Sequence, residues 1–325
     1  MKAVVLTTYG DPATGLVYRD LPEPEKPGGA QVLVGVELVS INFSDILVAR
    51  GLLPLHPELP SVIGNGGVGR VLEVGNEVSS VKVGDWVALP LGSFTWRERM
   101  VVRAAGLVVL PDAADPRQLS MLSINPPTPD LLLESFVQLH QDDWIAINAA
   151  NSAIARWLIS LAKRKGVKTL GLVRRAEVMD EVRAVGCDLV LLDEEDARRE
   201  ATKTLDHQRI RLALDAIAGD ATGRLAKLLG DRGTLVVYSA ASFSAIAISP
   251  FEVILRDLTI RGFSIFNPAY AKRIAPAILK AASMITAGEV TIPIAGTYPL
   301  EEIGAAIAHV ARGGKVLLEV GGAQG

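Results

Sequence analysis

A chain of 325 residues with one cysteine, four histidines and a formal net charge of −3 excludes an intrachain disulfide and a cysteine-rich zinc site. The same charge balance argues against nucleic acid as a main partner, because a phosphate backbone demands a basic surface. No uninterrupted apolar run approaches the ~18 residues needed to cross a bilayer, and the length exceeds one ordinary core, so two domains and no membrane partner are expected.

The opening MKAVVLTTYG reads at once as a strand and leaves no room for a signal or transit peptide, so a cytoplasmic setting is expected. Residues 1–120 read as β-rich. Over residues 31–39 the side chains Val32, Val34, Val36 and Leu38 alternate onto one face, as in a half-buried strand. Strands over 68–74 and 86–89 continue the pattern, punctuated by Gly64, Gly66, Gly67, Gly69, Gly75 and the turn Val83-Gly84-Asp85. A helix starting near Leu119 is broken by Pro126-Pro127.

Strands and helices then alternate in the α/β manner. Strands are expected over 144–147, 169–173, 188–192, 210–216, 233–238 and 258–265, and helices over 154–165, 177–185, 194–205 and 221–229. The tail reads as a helix over 273–287, a strand near Ile292, a helix over 300–311 and a strand over 315–320. Two strand–helix pairs are too few for a separate domain, so the tail is expected to return to the N-terminal one. Cys187, in Arg-Ala-Val-Gly-Cys-Asp-Leu-Val, reads as a small buried hydrophobe at a helix-to-strand junction. His56, His140, His207 and His309 lack H-x-x-E-H or H-E-x-x-H spacing, so no metal is expected.

The stretch from Asp143 to Arg175 has the order strand, small-residue turn, amphipathic helix, strand. That is the opening unit of a dinucleotide-binding domain, whose helix N-terminus receives a pyrophosphate. Ala150, Ser152 and Ala155 stand at the three positions of a G-x-G-x-x-G pattern. Small side chains meet its physical demand if the turn needs no positive φ there; the alternative is a βαβ unit that holds no nucleotide. At the second strand's end, where an acid would bond a ribose 2′-hydroxyl, stand Arg174 and Arg175, and the first acid is Glu177. Arginine there suits a 2′-phosphate, so NADPH is the expected cofactor, although one of the pair is free to be a solvated charge.

Several strings together resemble the medium-chain dehydrogenase/reductase superfamily over nearly the whole chain. They are Ile41-Asn42-x-Ser44-Asp45, Pro57-Glu58-Leu59-Pro60, Gly64-Asn65-x-Gly67-Val68, Val83-Gly84-Asp85-Trp86-Val87, Thr95-Trp96-Arg97, Asn125-Pro126-x-Thr128 and Asn148-Ala149-Ala150-Asn151-Ser152-Ala153. The chain is most similar to the zinc-free 2-enoyl thioester reductases, with the quinone oxidoreductases next. The resemblance implies a Rossmann-type doubly wound parallel sheet, residues 121–267, inserted into a β-rich GroES-like domain, residues 1–120 plus 268–325. It implies a homodimer and NADPH-dependent reduction of a double bond conjugated to a carbonyl. By the same resemblance Asn125, Asn151, Ser152, Ala153 and Ile154 touch cofactor, and Arg174 and Arg175 hold its 2′-phosphate. Tyr238, Ser239, Phe263, Ser264 and Ile265 line the nicotinamide side, and Lys315 matches a family lysine that contacts the cofactor.

The departures from the family gather around the substrate. The family's tyrosine proton donor is Leu53 here, its acid in Gly-Asn-Glu-Gly is Gly66, Ser264 replaces a tryptophan, and Leu47 replaces a polar residue. Asn42, Thr128 and Tyr270 are candidate catalytic residues, and Ser93 and Thr95 join Tyr270 as candidates to assist an oxyanion. The expected activity is reduction of a hydrophobic enone or quinone in an apolar pocket near Leu53, Leu47 and Phe266. The alternatives are an enoyl thioester reductase with a relocated proton donor, and a non-catalytic NADPH-binding sensor. A zinc alcohol dehydrogenase is disfavoured because no cysteine precedes Cys187.

Overall fold

The computed structural model describes residues 1–53, 56–205 and 209–321; His207 lies outside them. The chain is α/β and divides into two units, Met1–Pro127 with Ile274–Gly325, and Thr128–Arg273. No helix among the described residues is long and apolar enough to cross a membrane.

The first unit holds β1 (Lys2–Leu6), α1 (Pro12–Gly15), β2 (Leu16–Asp20), β3 (Gln31–Ser40), α2 (Phe43–Ala49), β4 (Ser61–Val62), β5 (Val68–Val74), β6 (Trp86–Ala88), β7 (Arg99–Arg103), β8 (Val108–Val109) and α3 (Pro116–Leu119). In β3 the alternation holds as far as Val36: Val32, Val34 and Val36 are fully buried and pack with Trp96, Met100 and Leu318 in one core. A register shift between Val36 and Leu38 then breaks it, leaving Leu38 half-buried and Val39 fully buried instead. Burying each valine contributes about 1.5–3 kcal/mol relative to exposure.

The second unit begins with α4 (Pro127–Ser135), followed by β9 (Trp144–Ile147), α5 (Ala153–Arg164), β10 (Lys168–Val173), α6 (Met179–Ala184), β11 (Leu189–Leu192), α7 (Ala197–Thr202), β12 (Ile210–Asp215), α8 (Asp220–Leu228), β13 (Thr234–Val237), α9 (Pro250–Arg256) and β14 (Thr259–Gly262). Its six strands are all parallel, in the order β11-β10-β9-β12-β13-β14. This is the doubly wound Rossmann order, whose ligand crevice opens at the strands' C-terminal ends where the winding reverses, here between β9 and β12. Every residue of β9 is buried, which explains why that strand is an unbroken apolar run.

The unit boundary falls within α10 (Ala271–Thr286), and β15 (Ile294–Pro299), α11 (Ile303–Arg312) and β16 (Lys315–Glu319) complete the first unit. The tail does return: β16 pairs antiparallel with β3, Leu317 opposite Ser40, and parallel with β15. Several elements differ from expectation: α1 and α2 interrupt the β-rich region, and α3 ends rather than begins at Leu119. Pro127 opens α4 rather than breaking a helix, as proline is suited to do in a first turn. The strand expected near Ile292 lies at β15, and Ile292 is instead held in a loop by two bonds to the Gln118 amide. Helix α9, not anticipated, carries its apolar side chains outward: Phe251, Ile254 and Leu255 are 69%, 71% and 78% exposed.

Candidate active site

In the second unit, the β9–α5 turn is held from below by an acid that sequence reading did not single out. Asp215, at the C-terminal end of β12, is wholly buried. Its Oδ1 accepts from Asn148 Nδ2 at 2.6 Å, Ile217 N at 2.8 Å and Ala218 N at 3.0 Å, and its Oδ2 from the Thr222 hydroxyl at 2.5 Å. Asn148 returns the bridge by accepting from Ala216 N at 2.8 Å. The switch point between β9 and β12 is thus cross-linked by side chains on both strands. The signal in the sequence is slight: one acid after the apolar run Leu212-Ala213-Leu214, four residues before Gly219.

The glycine-free turn works by moving its steric demands. None of Ala150, Ser152 and Ala155 takes a positive φ; Ala149 does, at 47°, which costs about 1–2 kcal/mol for a residue with a Cβ. Close packing is provided from β10, where a Cβ on Gly171 would lie 2.8 Å from the Ala150 methyl. Ser152 caps α5 by accepting from Ala155 N at 3.2 Å. Asn151 is exposed, and Ser152, Ala153 and Ile154 are half-exposed at the helix start. Arg174 and Arg175 follow β10, both exposed and without an ion pair or side-chain hydrogen bond among the described residues. Tyr238 and Ser239 follow β13; the Tyr238 hydroxyl is buried with no partner among the described residues, and burial pushes its pKa well above the ordinary phenol value. Past β14, Phe263 packs on Tyr270, ring centroids 5.2 Å apart, and edge-on to Phe136. Ser264 and Phe266 are exposed, Ile265 is buried, and Thr128 is buried near the start of α4.

In the first unit the motif residues converge on a buried polar cluster. Asn42 precedes α2, and its backbone N–H donates to Asp45 Oδ2 at 2.7 Å. Asn65 Nδ2 donates to Asp45 Oδ1 at 2.9 Å. Asn42 Oδ1 accepts from Lys315 Nζ at 2.8 Å and Asn125 Nδ2 at 3.3 Å, and Lys315 also donates to Ile41 O at 3.2 Å. Residues as far apart as Asn42, Asn125 and Lys315 are therefore brought together. Burial raises the Asp45 carboxyl to about 6, and desolvation lowers the Lys315 amine to about 8. Asn125 Oδ1 and Ser44 Oγ are buried without partners among the described residues, which marks them as positions a bound group would satisfy.

Two other candidates are already engaged: the Thr95 hydroxyl donates to Gly66 O at 2.8 Å and the Ser93 hydroxyl to Pro90 O at 2.6 Å. Leu53 and Leu47 are half-buried, Leu53 against the core. At Gly66, φ is 75° and a Cβ would meet the Ser123 Cβ at 2.6 Å, so this backbone has no room for the acid expected of relatives. Cys187 is buried against Thr169, and that burial raises its thiol pKa. Among the described residues, no group of three or more His, Cys, Asp or Glu is placed to hold a metal ion.

Comparison with known proteins agrees with this architecture. The family described as "Alcohol dehydrogenase GroES-like domain" matches residues 28–112, and that described as "Zinc-binding dehydrogenase" matches residues 153–280. The mitochondrial enoyl-[acyl-carrier-protein] reductase of Rattus norvegicus is 33% identical over 316 residues, which cover 93% of this chain and 83% of that protein. A quinone oxidoreductase structure from Pseudomonas syringae superposes with a TM-score of 0.85 at 26% identity, covering 98% of this chain and 99% of that one. The Etr1p/NADP/crotonyl-CoA complex gives a TM-score of 0.88 at 22% identity over 98% and 99% of the two chains, a likeness of fold. The chain belongs to the medium-chain dehydrogenase/reductase superfamily and is an oxidoreductase of that type.

Proposed function

We propose that the chain is a zinc-independent, NADPH-dependent reductase of hydrophobic enones or quinones. The observation that carries this reading is the glycine-free turn after β9, cross-linked to Asp215, with two arginines at the end of the neighbouring strand that have no ion pair among the described residues. The helix start over 151–154 offers backbone N–H groups to a pyrophosphate, and Arg174 and Arg175 offer guanidinium groups to a 2′-phosphate. In the second unit Tyr238 Oη, without a partner among the described residues, suits a polar group of the nicotinamide or its ribose, and Asn125 is separately assigned to the cofactor. Ser239, Phe263, Ser264 and Ile265 are assigned to the nicotinamide side. NADPH, when bound, supplies the hydride. The protein's part is to hold donor and acceptor in register and exclude water, and Leu47 and Leu53 are suited to an apolar acceptor. Likeness to enoyl-[acyl-carrier-protein] reductases supports a second reading, in which the acceptor is an enoyl thioester.

The test follows NADPH oxidation with a simple enone, 1,4-benzoquinone, 9,10-phenanthrenequinone and a crotonyl thioester. The enone or a quinone is expected to turn over faster than the thioester. Faster thioester turnover, with a further gain of about 10²-fold in Leu53→Tyr, would establish the second reading instead. Tight NADPH binding without turnover of any acceptor would leave a non-catalytic binder.

The chain is further proposed to pair with a second copy through β14. That strand is the edge of the six-stranded sheet, paired with β13 on one side and with no strand on the other among the described residues. It is exposed along its whole length, and α9 presents Phe251, Ile254 and Leu255 to solvent. A free edge and a contiguous apolar patch are a template for association. Sedimentation equilibrium is expected to show a dimer for the native chain and a monomer for Ile254→Glu/Leu255→Glu; a native monomer at micromolar concentration would refute the pairing.

A further inference from the structure

Leucine at position 53 has no proton to give, yet reduction of a conjugated double bond needs one proton for every hydride. The polar cluster around α2 contains a side chain with a proton to spare. Lys315 donates to Ile41 O at 3.2 Å and to Asn42 Oδ1 at 2.8 Å, which engages two of the three N–H bonds of an ammonium group. Asn125 also bonds Asn42 Oδ1, and its own Oδ1 is buried without a partner among the described residues. A spare donor and an unpartnered acceptor sharing one anchoring oxygen form an incomplete set, of the kind a ligand completes. Lys315 is partly buried, and its amine is held within the cluster.

We propose that Lys315 is the proton donor of the reduction, in place of the hydroxyl absent at Leu53. This rests on the reductase reading. When the β-carbon of the acceptor receives hydride, the electron pair of the double bond moves to the α-carbon and its conjugated oxygen. One Nζ–H bond then breaks and its electron pair stays on nitrogen. The proton forms the new C–H bond, or the O–H of a hydroquinone, and the neutral amine regains a proton from water.

The surroundings suit that task. Desolvation brings the Lys315 amine down to about 8, so the ammonium form still prevails at neutral pH while being a stronger acid than a solvated lysine. Asp45, on α2, acts in the opposite direction and keeps the amine from falling further. Asp45 itself is held at about 6, chiefly by burial, and bonds from Asn42 and Asn65 oppose the rise. Among the described residues Asp45 is the charged group that acts on the amine; β15 presents Ile294 opposite Lys315, and the end of β3 presents Ser40 opposite Leu317.

The experiment compares the native chain with Lys315→Arg and Lys315→Met, using NADPH with an enone and with 1,4-benzoquinone across neutral and alkaline pH. The native kcat on the enone is expected to fall as pH rises through about 8. Both variants should lose about 10²-fold in kcat and with it the alkaline limb, and the quinone, whose product oxyanion is weakly basic, should lose less. Arginine keeps the charge, so Lys315→Arg should keep the native KM for NADPH; a residue that only anchors cofactor would move KM and leave kcat and the limb intact. In the ligand-free chain, NMR of the lysine ε-methylene should show Lys315 titrating near 8, and lower in Asp45→Asn. Native kcat and alkaline limb in Lys315→Arg, or titration at the ordinary lysine value, would overturn the assignment while leaving the reductase reading in place. Failure of the native chain to turn over any acceptor would overturn both.

Discussion

Asp215→Ala is expected to destabilise the second unit by about 3–5 kcal/mol, read as a lowered urea midpoint with Trp144 and Trp157 as the fluorescent reporters. The carboxylate is wholly buried and accepts four hydrogen bonds, from two backbone N–H groups, an amide and a hydroxyl. Each such bond contributes modestly in net terms, but a buried donor left without an acceptor costs about 1–3 kcal/mol. Alanine strands several donors at once and leaves a space too cramped and crowded to satisfy them all with one water. Asp215→Asn should cost less, about 1–2 kcal/mol, because its oxygen still serves Asn148 and the turn amides and Thr222 can rotate its hydroxyl to accept. An alanine variant within about 0.5 kcal/mol of the native chain would show that the cross-link between β9 and β12 is not what secures the turn.

The same cross-link explains why a turn without the glycine fingerprint is tenable. The strain at Ala149, φ 47°, is local, and the acid that offsets it lies 67 positions further along the chain from Asn148. Local pattern could therefore show that a small-residue turn was present but not why it holds. In β3 as far as Val36, and in β9, the burial pattern was legible, since a half-buried strand writes alternation and a doubly covered strand writes an apolar run. The register shift after Val36 that turns Val39 rather than Leu38 inward was not. The helix α9 was not legible for the opposite reason: its apolar residues face solvent, so their spacing has no core to register against. Ile292 misled because burial is not strand formation; the Gln118 amide satisfies its backbone in a loop. In the first unit, the strings around Asn42, Asn65 and Asn125 were each visible as motifs. That they share one oxygen of Asn42 with Lys315, 273 positions from it, depends on β16 returning to pair with β3.

Arg174→Ala/Arg175→Ala is expected to weaken NADPH binding by about 10²-fold while leaving NADH binding within about twofold, measured by quenching of intrinsic tryptophan fluorescence. Both arginines stand exposed immediately after β10, with no ion pair among the described residues to neutralise them. A dinucleotide lacking the 2′-phosphate would call for a carboxylate at that strand end, and the first acid, Glu177, lies in the short helical turn beyond it. Charge-assisted bonds from guanidinium to phosphate contribute about 1.5–3 kcal/mol each, so one well-seated arginine accounts for the tenfold-to-hundredfold range and the second extends it. The single variants should be unequal, because a side chain that only shares the surface with the phosphate contributes through screened attraction. The NADPH affinity of the native chain should also fall with added salt more steeply than that of the double variant. Equal affinity of the native chain for NADH and NADPH, or an unchanged NADPH affinity in the double variant, would refute the assignment of a 2′-phosphate to this strand end and return the two guanidinium groups to solvent.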